Sequence, residues 1–171
     1  MSKRISAAIT LGVLTVILVV YAIYLARSVP VRLIAVGSQI PVLDLKSASQ
    51  DAAAISQRAK RIIVFFSPDC DQCRREIAHI ERIRRERPAY SDGAADWILV
   101  KTTSKESFPP VYSTDAWSVY TDADRRNLHT LGAAAVPFVI CLDSADIVRY
   151  RRIGAASLEH DSKMLADFFA F

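Results

Sequence analysis

Cys70 and Cys73, in the stretch FFSPDCDQCRRE, are the residues whose type and spacing most directly suggest chemistry. They follow Arg61–Phe66, a short apolar run rich in β-branched and aromatic residues, which reads as a strand buried on both faces. Pro68 stops that strand, and Asp69 is a candidate cap for a helix starting at the cysteines. The helix is expected to run to about Arg87, with Ile77, Ile80 and Ile83 on one face and Pro88 ending it. Cysteines in the first turn of a helix meet its oriented N–H groups, which favour a thiolate. Cys70 would be the exposed nucleophile. Cys73, one turn in, can reach its sulfur and close a disulfide, which makes a two-electron switch. The same pair could instead be half of a zinc site, which would need two more ligands from the scattered His79, His129, His160 and Cys141. Cys141 stands between Ile140 and Leu142 and reads as a small buried residue.

The elements that must position the pair are legible around it. Ile40–Leu45 alternates enough for a short edge strand, and Ser47–Lys60 is a polar, Ala-rich loop with at most a helical turn. Trp97–Thr102 and Trp117–Asp122 are further strand candidates, with a short helix near Ser104–Phe108 stopped by Pro109 and Pro110. Asp122–Gly132 reads as a helix with Gly132 at its C-terminal cap. Pro137–Asp143 and Ile147–Gly154 form a hairpin through Ser144–Asp146, and a final amphipathic helix starts at Ser157. Strands alternating with helices, then a hairpin and a helix, predict an α/β domain with a mixed sheet.

Charge and hydropathy add a second unit. The 171 residues suit one domain of ordinary size, and the net charge of +4 is uneven. Residues 1–27 carry Lys3, Arg4 and Arg27 and no acid, which leaves 19 basic and 18 acidic residues beyond them. That balance argues against nucleic-acid binding. Ile5–Ala26 holds no charged residue; as a helix it would extend roughly 33 Å, close to the hydrocarbon thickness of a bilayer. It reads as an uncleaved transmembrane anchor (1–27), followed by a linker (28–35) and a catalytic domain (36–171). A cleaved signal peptide is the rival, although its apolar core would be long and Tyr24 spoils an A-x-A site before Ala26. The flanking charges lean only slightly towards an N-terminus inside. The Arg-rich helix from Arg74 to Arg87 is interleaved with Glu76, Glu81 and Glu86 and reads as a solvated, ion-paired face.

With those features in place, the chain resembles the thioredoxin fold: strand, CxxC, helix, then AVP at Ala135–Pro137 entering a strand. More specifically, CDQCRRE is similar to the C-x-x-C-[KR]-[KR]-E pattern of membrane-anchored thioredoxin-like proteins, the extracytoplasmic reductants of cytochrome c maturation and their relatives. VGSQIPVLDL (36–45) resembles their opening G-x-x-x-P-x-F-x-L. FFSPDCDQC is also similar to a stretch of the thioredoxin-like protein of methylamine dehydrogenase maturation.

The resemblance implies a thioredoxin-like α/β fold, a central mixed sheet flanked by helices, behind one N-terminal transmembrane helix. It implies that Val136-Pro137 is a cis-proline loop facing the cysteines, where backbone pairs with an incoming peptide. It implies that Glu76 assists proton transfer at Cys73. Three departures stand out. Asp69 replaces the usual tryptophan, Val64 replaces a buried aspartate, and Asp71-Gln72 replaces the usual dipeptide between the cysteines. Asp69 and Asp71 oppose a thiolate at Cys70 while Arg74 and Arg75 favour it, and a less stabilised thiolate points to a reductant. The expected partners are a client protein disulfide or dithiol, a membrane thiol–disulfide electron donor and the bilayer. The expected location is the extracytoplasmic (periplasmic) side of the cell membrane, and the chemistry needs no metal, nucleotide or flavin. The alternative from another class is a thioredoxin-fold metallochaperone or assembly factor that binds copper or a client without turnover.

Overall fold

The computed structural model describes residues 14–22, 32–47, 59–90, 93–103 and 117–171. The chain divides into two units, Met1–Val31 and Arg32–Phe171. In the first, residues 14–22 are helical, with Leu14, Val16, Ile17 and Val20 exposed. Among the described residues no helix is long and apolar enough to cross a membrane. Most of the expected Ile5–Ala26 span lies outside them, as do most of the Ser47–Lys60 loop and the short helix expected near Ser104–Phe108.

The second unit is built on a six-stranded sheet. Its strands are β1 (Lys46–Ser47), β2 (Lys60–Phe66), β3 (Ala95–Lys101), β4 (Ser118–Thr121), β5 (Phe138–Leu142) and β6 (Val148–Ile153), in spatial order β1-β4-β3-β2-β5-β6. β2 pairs in parallel with β3 and antiparallel with β5, so the sheet is mixed. Its helices are α1 (Asp71–Glu86), α2 (Arg126–Thr130) and α3 (Leu158–Ala170), with a 3-10 turn at Pro88–Tyr90.

The apolar run of β2 is buried on both faces as expected, and its alternation sorts the core. Ile62, Val64 and Phe66 face one cluster, with Ile77, Ile80 and Ile83 of α1 and Met164, Leu165 and Phe168 of α3. Ile63 and Phe65 face the other, with Leu128 of α2 and the partly buried Leu33, Ile34 and Ile40. Burial of each such apolar side chain contributes roughly 1.5–3 kcal/mol, so β2 is strongly held. Trp97 and Trp117 meet edge to face in the first cluster, their centroids 5.6 Å apart.

Three boundaries differ from expectation. Ile40–Leu45 is not a strand; Ile40, Leu43 and Leu45 pack on the sheet face while Val42 is exposed, and the pairing edge is Lys46–Ser47 against β4. The Asp122–Gly132 helix shrinks to Arg126–Thr130, because the buried Asp122 carboxylate accepts from the N–H groups of Asn127 and Leu128 and ties the chain into a turn first. Arg125 then adopts φ 59°. The cap of α1 is Cys70 itself rather than Asp69.

The 32–35 stretch, read as linker, packs on the sheet: Ile34 N–H donates to Leu131 O at 2.9 Å. That contact needs Gly132, whose φ is +75° and where a Cβ would collide with the Arg32 backbone. Gly132→Ala is therefore expected to lower unfolding free energy by roughly 1–3 kcal/mol, read from urea denaturation; an unchanged midpoint would show that residues 32–35 are not held there.

Candidate active site

The site begins where β2 ends. Thr102 donates to Phe66 O from its N–H (2.9 Å) and its hydroxyl (3.0 Å), which pins the strand end. Pro68 then ends pairing, and Cys70 N–H turns back to Ser67 O at 3.1 Å. Cys70 is extended (φ −101°, ψ 108°), and its Sγ accepts from Cys73 N–H at 3.1 Å, so a sulfur fills the capping role usually taken by an oxygen. The two cysteines are joined in a disulfide with their Cα atoms 5.2 Å apart. They differ in access: Cys70 is half-buried and Cys73 has no solvent exposure. Only Cys70 can be reached by a partner's sulfur.

Charge around the pair is partly self-cancelling. Asp71 is ion-paired with Arg74, whose Nη1 also donates to Pro68 O at 3.3 Å. The rest of the α1 surface carries the expected ion pairs, Arg82–Glu86 (2.7 Å) and Arg85–Glu81 (3.1 Å). Glu81 itself is buried, where it accepts from Trp117 Nε1 at 3.0 Å.

The bond between Val136 and Pro137 is cis. Because Phe138 pairs with Phe65, the loop lies at the same end of the sheet as the cysteine turn. Pro137 is buried and Val136 half-buried, packed on both core clusters. Pro137 O accepts from Gly154 N–H at 2.8 Å, while the peptide groups of Val136 have no partner among the described residues.

Glu76 lies one turn beyond Cys73 on the buried stripe of α1, a spacing that places side chains about 5–6 Å apart at Cβ. Its side chain is wholly buried. It accepts from Arg152 Nη2 and from Ala156 N–H, the latter at 3.0 Å. Burial pushes its carboxyl above the ordinary range, and nearby Asp161 adds to the rise against the pull of Ala156 and Arg152.

Arg152, Asp161 and His79 complete this cluster, and sequence reasoning missed their part in it. A signal for Asp161 existed: it falls on the apolar stripe of α3 with Met164, Leu165 and Phe168. Arg152 had none, because its face depends on a bulge. Leu142 pairs with Val148 but Cys141 with Tyr150, so Arg149 is the extra residue. It turns Tyr150 and Arg152 towards α1 and α3. Asp143 holds the bulge, accepting from Arg149 Nε (2.7 Å) and from the N–H groups of Ala145 (2.9 Å) and Ile147 (3.0 Å).

The residues considered for zinc are placed apart in role. His160 Nε2 meets Tyr150 OH at 2.9 Å, His79 faces Asp161, and His129 is on the surface. Cys141 is wholly buried; its thiol donates to Met164 Sδ at 3.6 Å, and burial pushes its pKa up. Among the described residues no three His, Cys, Asp or Glu side chains are grouped to hold a metal ion.

No family model matches the chain, and no curated protein matches it. Solved structures do. The thioredoxin domain of a thiol-disulfide oxidoreductase from Bacteroides vulgatus superposes with a TM-score of 0.61 at 14% identity, covering 80% of this chain and 99% of that one. A thiol:disulfide interchange protein from Bacteroides sp. gives 0.60 at 13% identity, covering 81% and 92%. MTB dsbF, solved in mixed oxidised and reduced forms, gives 0.52 at 14%, covering 65% and 81%. The fold is thioredoxin-like. Its CxxC pair stands where β2 meets α1, as the sequence implied.

The buried carboxyls make stability depend on pH. A carboxyl raised by folding stabilises the fold while protonated; that contribution is full below about pH 4 and is lost as pH rises through the raised value. Glu76 and Asp161 both act in this direction. Asp143 acts oppositely: its burial is outweighed by its donors, and its pKa is lowered, so its effect falls at acid pH. Above about pH 5 the oxidised chain should therefore lose melting temperature as these carboxyls ionise, and Glu76→Gln should flatten the decline. Parallel declines in both proteins would exclude Glu76 as the titrating group.

Proposed function

We propose that the chain is a membrane-anchored, extracytoplasmic thiol–disulfide oxidoreductase that reduces a disulfide of a client protein. The observation that carries the reading is the asymmetric Cys70–Cys73 disulfide, one sulfur reachable and one sealed, at the strand–helix junction beside the Val136-Pro137 loop. The similar folds of proteins described as a thiol-disulfide oxidoreductase and a thiol:disulfide interchange protein support it.

The reduced protein would act as follows. The Cys70 thiolate attacks a client sulfur, forming a mixed disulfide and releasing a client thiolate, which takes a proton from water. The open peptide groups of Val136 pair with the client backbone. Cys73 passes its proton to the Glu76 carboxylate and attacks the Cys70 sulfur. The second client thiolate leaves and is protonated, and the chain ends as the disulfide with two electrons transferred. A membrane thiol–disulfide donor then restores the dithiol. Cytochrome c maturation is the client class that the motif resemblance favours. The uncharged Ile5–Ala26 run supports the anchor.

Titrating the Cys70–Cys73 couple of the full chain against dithiothreitol and glutathione is expected to give a potential near or below about −270 mV. A value near about −120 mV would make the chain an oxidant. Failure to form the disulfide, with tight equimolar Cu(I) binding, would favour the metallochaperone instead. Cys73→Ser should trap the mixed disulfide with client, while Cys70→Ser should trap none. The anchor has its own test: the chain should stay with membranes through an alkaline carbonate wash, and release into the supernatant would refute it.

A further inference from the structure

Glu76 and Asp161 compete for one cation. Nη2 of Arg152 serves Glu76 Oε1 and, at 2.9 Å, Asp161 Oδ1. The rest of that guanidinium is engaged too, Nε with Tyr150 OH at 3.1 Å and Nη1 with Gly154 O. Both carboxylates are wholly buried, and Arg152 is nearly so at 15% exposure. With both carboxyls ionised the cluster carries one uncompensated negative charge inside the protein, an arrangement that favours uptake of a proton.

The other charged and titratable neighbours are few. From α1, His79 Nδ1 stands 3.6 Å from Asp161 Oδ2, and neither atom has a hydrogen-bond partner among the described residues. From α3 itself comes His160. From β5 the Cys141 thiol, and from β6 the Tyr150 hydroxyl, adjoin Arg152. From the β6–α3 connection Ala156 N–H holds Glu76 Oε2. A proton on Asp161, whose Oδ2 faces His79, closes the charge balance and leaves Arg152 to Glu76. Without that proton on Asp161, Asp161 draws on Arg152 and Glu76 becomes the better base.

We propose that Asp161 and Arg152 are positioning residues that set the basicity of Glu76 by dividing one guanidinium between two buried carboxyls. The cluster thus holds one exchangeable proton beside Cys73. The inference rests on the exchange reaction above and adds the residues that tune its proton transfer. Asp161 acts through Arg152 and touches no sulfur.

Two measurements on the full chain test it. First, the resolution rate of a preformed Cys70 mixed disulfide with glutathione is followed against pH. Asp161→Asn should move the Glu76-dependent inflection down by roughly one pH unit, a tenfold change in proton affinity, and Glu76→Gln should abolish it. An unmoved inflection in Asp161→Asn overturns the proposal. Second, carboxyl carbon NMR on the wild-type chain avoids any folding defect of the variant. Glu76 and Asp161 should titrate in two separated steps, the upper above the ordinary carboxyl range. Independent titration of both within that range overturns the proposal. If wild type forms no mixed disulfide at all, the exchange reading fails, while the NMR still decides the proton sharing.

Discussion

A carboxylate sealed under the disulfide is the constraint around which this domain is arranged. Glu76 has no exposure to water, so its charge must be met from within the protein. Two separate pieces of chain converge to do so, Arg152 from β6 and Ala156 N–H from the connection after it, while Asp161 from α3 draws on the same guanidinium nitrogen. Removing one partner of such a buried set typically costs about 3–5 kcal/mol, comparable with a large share of a domain's stability. The cluster also explains why α3 is fixed in rotation. Its first turn is capped by Ser157 Oγ at 3.2 Å from His160 N–H, and Asp161 then lies on the same stripe as Met164, Leu165 and Phe168.

The sheet supplies the other half of the site. β2 is buried on both faces and paired on both sides, so its end is a firmly held point from which the cysteine turn departs. Cys70 sits where backbone leaves the strand and the helix has not yet begun. Its sulfur is therefore both reachable and close to the first N–H groups of α1. Cys73 points into the core cluster with Ile77 and Ile80. The difference in access comes from one helical turn and needs no moving part.

Charge near Cys70 is balanced more locally than the sequence suggested. Arg74 pairs with Asp71, the acid between the cysteines, so their influences on the sulfur largely offset one another. The buried aspartate of ordinary thioredoxin is Val64 here, wholly within the apolar core. The buried acids Glu76 and Asp161 lie instead on α1 and α3, over the same sheet face.

The sequence by itself determined the strand–CxxC–helix order and the α/β class with a mixed sheet, because these depend on local spacing and apolar periodicity. β2 and α1 were legible from Arg61–Phe66 and from the Ile77, Ile80 and Ile83 stripe. Less legible was anything set by contacts distant in sequence. Asp122 shortened α2 by competing for its N–H groups, and Ile40–Leu45 left the sheet to cover its face. Cys70 displaced Asp69 as the cap because disulfide closure holds its sulfur over Cys73 N–H. Only the tertiary structure decided that Arg152 faces Glu76. Alternation alone would put Val148, Tyr150 and Arg152 on one face. The bulge at Arg149, tied down by Asp143, turns Tyr150 and Arg152 to the other, and no local pattern announces a register shift set by a cross-strand ion pair.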